Sequence, residues 1–252
     1  MGVVASVGGA VPSREQRLLE TLVSLADTVV ADFDVVDLFY RLVDAATELL
    51  DVAAAGLLLA DNEGDLHVMA VTNEEAAFVE MVQMQREEGP CYDAYRTGEV
   101  VWASLTEPDA AQRWPIFSSA ALEAGFAGVL AMPMRLRAIV VGALNLFRSE
   151  LGELDESDLM AAKALTDLAT IAILQSRITQ DSETVIAQLQ RALDSRVAIE
   201  QAKGIISEKT QIRLDQAFAR LRRHARDNNK RLEDIAEEII SGSFDPERLP
   251  EV

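Results

Sequence analysis

Eleven lysines and arginines crowd into residues 191–231 against five acids, a local net charge of +6 in a chain whose total is −19. Everything outside that window therefore sums to −25. So concentrated a reversal of sign is the electrostatic footprint of a surface that meets a polyanion. Arg196, Lys203, Arg220, Arg222, Arg223, Arg226 and Lys230 offer cationic heads for phosphates, while Asn228 and Asn229 offer paired donors and acceptors for base edges. Arginine adds a flat fork that can stack or hydrogen-bond as well as neutralise. The competing reading is a solvated helix face, which is what most charge runs are.

The elements that must position these groups follow from the apolar periodicity. Val197, Ala198, Ala202, Ile205 and Ile206 share one arc of a first helix that stops near Thr210. Leu214, Ala217, Phe218, Leu221 and Ala225 recur at three- and four-residue spacing in a second, stopped by Asn228 and Asn229. Leu232, Ile235, Ala236, Ile239 and Ile240 make a short third, ended by Ser241-Gly242-Ser243. None can bury its stripe alone, so the three must pack together. At about 100° per residue the arginines of the second helix fall opposite its apolar arc and point outward, Lys203 leaves the first helix on the side of Arg196, and Phe218 belongs to the core. His224 flanks the arc as a surface residue. Gly204 costs a helix about 1 kcal/mol relative to Ala, which predicts a close approach there.

The run Ile199-Glu200-Gln201-Ala202-Lys203-Gly204-Ile205-Ile206, then Asp215-Gln216-Ala217-Phe218 and Leu221-Arg222-Arg223-His224-Ala225-Arg226-Asp227-Asn228-Asn229, resembles the ANTAR domain through Leu232-Glu233-Asp234-Ile235-Ala236. The resemblance implies a three-helix RNA-binding module of a transcription antiterminator, which holds RNA stem-loops, usually two in tandem, against an overlapping terminator. Physical chemistry agrees in kind, because RNA is read at splayed loops through phosphate contacts and base stacking. The alternative is a DNA-binding regulator with a helix-turn-helix, which would carry its reading residues at the start of a recognition helix.

At 252 residues and 49% hydrophobic content the chain can build two domains with a proper core. A single cysteine excludes an internal disulfide framework and a multi-cysteine zinc site, and fits a reducing cytoplasm. No run is long enough for a membrane span. The acidic bulk confines nucleic-acid binding to the C-terminal window.

Upstream, residues 1–12 read as a flexible tail, followed by helical patterns over 14–30 and 34–50 with Asp34 as N-cap. A hairpin over 53–60 and 66–72, helices near 74–85 and 92–95, a strand over 100–104, one Pro115-interrupted helix over 109–124 and a second hairpin over 128–136 and 139–147 come next. The order predicts an α+β domain, an antiparallel sheet with flanking helices. Together with Ala54-Ala55-Gly56-Leu57-Leu58-Leu59, Glu88-Gly89-Pro90-Cys91-Tyr92-Asp93-Ala94, Trp114-Pro115 and Gly142-Ala143-Leu144-Asn145-Leu146-Phe147, it resembles a GAF domain over 13–175. That resemblance implies a sensor for a small molecule of unknown identity, with Cys91, Trp114 and Phe117 as tentative ligand contacts. No cofactor or metal site is expected. No nucleophile elbow, phosphate loop or His–Cys pair points to an enzyme.

Residues 176–192 form a connecting helix without Gly or Pro, sparse enough in apolar residues to be a weak coiled coil that supports a homodimer. The three-helix module then occupies 193–243 and a tail 244–252.

Overall fold

The computed structural model describes residues 14–30, 35–61, 63–136, 139–175, 185–228 and 230–250. Apolar runs separated by turn residues give five strands: β1 (Ala54–Ala60), β2 (Leu66–Val71), β3 (Val101–Ser104), β4 (Gly128–Leu136) and β5 (Ile139–Arg148). They lie in the order β2-β1-β5-β4-β3, every neighbouring pair antiparallel. All seven residues of β1 are buried, so both faces of the sheet are covered and the strand reads as a continuous apolar run.

Alternation along the strands sends successive side chains to two different cores. Ala55, Leu57, Leu144 and Leu146 pack with α1 (Arg14–Val30), α2 (Val35–Leu49) and α7 (Glu156–Gln175). Ala54 and Phe147, and Leu58, Ala131 and Ala143, face the other side. That side is covered by α3 (Glu74–Arg86), α4 (Pro90–Thr97), α5 (Pro108–Arg113) and α6 (Pro115–Glu123). The stretch expected as one interrupted helix is thus two. Pro115 excludes a helical conformation at Trp114, which sits at φ −136° and ψ 71°. Asn73 caps α3 by accepting from the Ala76 amide, and Asp155 caps α7 by accepting from the Asp158 amide. The expected cap at Asp34 lies outside the described residues.

One buried arginine ties the end of the sheet together. Arg148 donates to the carbonyl and carboxylate of Asp51, at 3.1 and 2.5 Å, and to the carbonyls of Gly152 and Glu153. The Asp158 carboxylate accepts from the Asp51 amide and pairs with Arg14. These bonds join β5, the turn before β1 and the N-termini of α1 and α7.

The chain continues in α8 (Val185–Thr210), α9 (Leu214–Asp227), α10 (Leu232–Ile240) and a 3-10 turn over Pro246–Arg248. The first helix of the C-terminal bundle therefore begins well before the bundle itself; continuity with α7 across 176–184 lies outside the described residues. The segment expected as a tail after residue 243 is folded onto the bundle: Leu249 is 4% exposed and Phe244 packs against the same core.

A polar cluster sits on the α3 side of the sheet between two apolar ones. Glu80 is wholly buried, in the space left by the absent side chain of Gly56, where a Cβ would fall 2.3 Å from the carboxylate. Asn145, the register partner of Gly56, donates its amide to both Glu80 oxygens at 2.8 and 3.0 Å, and Gln83 donates at 2.6 Å. Gln83 in turn accepts from the Cys91 amide at 2.9 Å. Burial outweighs the Asn145 and Gln83 donors and pushes the Glu80 carboxyl up to about 7. Asn145 Oδ1 is buried with no partner among the described residues.

Folding therefore binds a proton between pH 4.5, the ordinary value, and about 7. This contribution to stability is complete below the lower value and is lost as pH rises through the upper one, on the order of 3 kcal/mol. Glu80→Gln, neutral at every pH, is expected to flatten the fall in melting temperature between pH 5 and 8 and to melt above the parent protein at pH 8. Thermal denaturation across that range checks it; an unchanged slope would contradict the assignment.

Candidate nucleic-acid interface

Three stripes close the C-terminal module: Ile199, Ala202 and Ile206 from α8, Ala217, Leu221 and Ala225 from α9, and Leu232, Ile235, Ala236 and Ile239 from α10. The α8–α9 turn passes through Gln211 at φ 56° and is held by Ser207 Oγ, which donates to the Ile212 carbonyl at 2.6 Å. His224 lies 4.8 Å from Phe244, so the helix-surface position expected for it is partly covered by the folded C-terminal segment.

The predicted contact residues divide into two groups. Arg223 and Arg226 on α9, Asn228 after it, and Lys230 are exposed, and Arg220 is half-buried. Arg223 is 3.7 Å from Asp227 and Lys230 is 2.6 Å from Glu238, both solvent-exposed pairs of small energetic value. Asn228 turns its amide back to the His224 carbonyl at 2.8 Å, closing the helix end. Arg220 and Arg226 carry no ion pair among the described residues. Arg196 is half-buried, and Asn229 lies outside the described residues.

Lys203 and Arg222 form the second group, and neither points freely outward. Lys203 Nζ is 2.9 Å from both Glu200 oxygens and 5.4 Å from the centre of the Phe218 ring. Arg222 is clamped by α2, with Nε 3.0 Å from Asp37 Oδ1 and Nη1 2.6 Å from Asp44 Oδ2. Burial alone would lower the guanidinium's pKa; the Asp44 and Asp37 carboxylates more than reverse that and hold it above its ordinary value. Between the two pairs the Tyr40 ring lies on Phe218, centres 4.3 Å apart and tilted by 45°. Burial, then Glu200, pushes the Tyr40 phenol well above its usual range. Phe218, expected as core, is only partly buried, with the Tyr40 ring of α2 against it.

Sequence reasoning missed Asp37, Tyr40 and Asp44. Their spacing of three and four residues places them on one helical face, and the remaining sides of α2 are apolar.

On the sensor side, Cys91, Trp114 and Phe117 are at most 2% exposed and do not share one site. Trp114 and Phe117 stack edge-on in one apolar cluster, with Trp114 Nε1 donating to Asp93 at 3.1 Å. Cys91 lies in another, its thiol pushed well up by burial and by the neighbouring Glu80. None of the three lines the cleft of about 600 Å3 that opens between α1, α2 and Arg222. On their own side of the sheet, the side chains of Glu80 and Gln83 fill the space beside Gly56 and Gly89.

An antiparallel sheet covered on both faces, followed by a basic three-helix bundle, defines a sensory domain joined to a nucleic-acid-binding module. The GAF domain model matches residues 34–174 and the ANTAR domain model residues 187–240, and the chain belongs to the GAF family with an ANTAR domain at its C-terminal end. No curated protein sequence matches it. Among solved structures it is similar to the GAF domain of an Acinetobacter phosphoenolpyruvate-protein phosphotransferase. There identity is 16%, TM-score 0.51, and 68% of this chain and 100% of that one are covered. It is also similar to free methionine-R-sulfoxide reductase from Neisseria meningitidis in complex with its substrate, at 18% identity, TM-score 0.51, 67% of this chain and 95% of that one. At these identities the likeness is one of fold.

A Cβ on Gly204 would meet nothing within 4 Å, so no close helix approach explains that glycine. Gly204→Ala is expected to stabilise the bundle by about 1 kcal/mol in chemical denaturation. A destabilised variant would contradict the open environment.

Proposed function

We propose that the chain is a cytoplasmic, sensor-regulated transcription antitermination regulator that binds RNA stem-loops through its C-terminal bundle and is not an enzyme. The observation that carries this reading is the outer face of α9 in an ANTAR module: Arg220 and Arg226 stand on one helix with no ion pair among the described residues, and Arg223 lies between them on the same face. The first turn of α10 favours RNA over a helix-turn-helix reading of DNA, since it presents Glu233 and Asp234 where a recognition helix would present groups to the groove. The functional unit is a homodimer that holds two hairpins in tandem. Leu19 and Val23 on α1, and Met160 and Ile171 on α7, are exposed apolar side chains that a second copy would cover. The GAF domain takes a small molecule as its input.

Binding of the full chain to a two-hairpin RNA, to the same RNA with scrambled loops and to duplex DNA, over a salt series, tests the reading. Loop-dependent binding to RNA alone is expected. Arg226→Ala should weaken it and lower the salt slope by about one. Equal binding to duplex DNA would replace this reading with that of a DNA-binding regulator.

A further inference from the structure

Resting on the RNA-binding reading, we propose that Phe218, Arg222 and Lys203 form a contact for one unpaired base and its phosphates. In the structure α2 of the sensor occupies this contact as a mimic of that RNA. Each element of the mimicry is visible. Asp37 and Asp44 place carboxylates 3.0 and 2.6 Å from the Arg222 fork, where phosphate oxygens of a loop would sit. Between them the Tyr40 ring lies 4.3 Å from Phe218, the place of a stacked base. Glu200 pairs with Lys203, whose Nζ lies 5.4 Å from the centre of the Phe218 ring, and approaches the Tyr40 hydroxyl at 3.5 Å.

The covered patch is continuous with the exposed cations, because Arg226 stands one helical turn beyond Arg222. An RNA loop lying along α9 would meet Arg226 first and then find the next turn already filled. The two occupants exclude each other, so α2 lowers RNA affinity by the fraction of molecules in which the contact is closed. The cleft lined by Arg17, Ser24, Arg41, Asp44 and Arg222 opens directly onto the Asp44 pair, where a small molecule would act on the clamp.

The full-length Asp37→Asn/Asp44→Asn protein tests this, since both side chains are partly exposed, 31% and 45%, and neutral amides fit the same space. The double variant is expected to bind a two-hairpin RNA about tenfold more tightly than the parent protein. Adding Phe218→Leu, which keeps an apolar side chain in the bundle, should remove that gain. Unchanged affinity in the double variant, with the parent still binding RNA loop-dependently, would overturn the mimicry and leave the RNA-binding reading standing. A gain that survives Phe218→Leu would overturn the base contact. If neither protein bound RNA, the RNA-binding reading would fall and the proposal with it.

Discussion

Arg222 joins the two halves of the molecule. A guanidinium only 22% exposed needs partners for its charge, and both of them come from a helix nearly two hundred residues earlier in the chain. The same requirement explains the polar face of α2, which lies in one continuous core between the sensor helices and the bundle. One side carries Leu38, Leu42 and Ala45 into the sensor, and the face bearing Asp37, Tyr40 and Asp44 meets the ANTAR module. Anionic oxygens and a planar ring are also what a nucleotide would present, so on the proposed reading the contacts that hold the domains together also give RNA its competitor.

The far side of the sheet is governed by a different constraint. Gly56 and Gly89 leave room that a sensory domain could give to a ligand, and here Glu80 and Gln83 occupy it. Burial of a carboxyl among Asn145, Gln83 and Cys91 makes that filling sensitive to protons rather than rigidly fixed. The sensor thus has a closed, titratable interior and an open cleft at its junction with the bundle.

Much of the fold was legible because periodicity reports burial directly. The two hairpins and the three stripes of the bundle can each be read from local spacing, since a strand or helix exposes or hides residues at its own period. Angular placement could not identify partners. It set Arg222 and Lys203 opposite the apolar arc of their own bundle and had no means to say that a helix from another domain covers that side. The spacing of Phe218 fits the apolar arc and so reads as core, yet the side chain stays partly exposed and meets Tyr40 of α2. Leu249 and Phe244 escaped notice because two apolar residues in a short polar segment make no periodic signal. Cys91, Trp114 and Phe117 were singled out by residue type, and type does not distinguish a pocket wall from a packed core.

The most direct measurement is hydroxyl-radical footprinting of the aromatic side chains, read by mass spectrometry, on the full chain with and without a two-hairpin RNA. In the free protein Tyr40 is buried against the partly exposed Phe218. If α2 and RNA share one face of α9, adding RNA makes Tyr40 reactive while Phe218 stays protected beneath the incoming base. A Tyr40 that remains protected when RNA is bound would contradict that account.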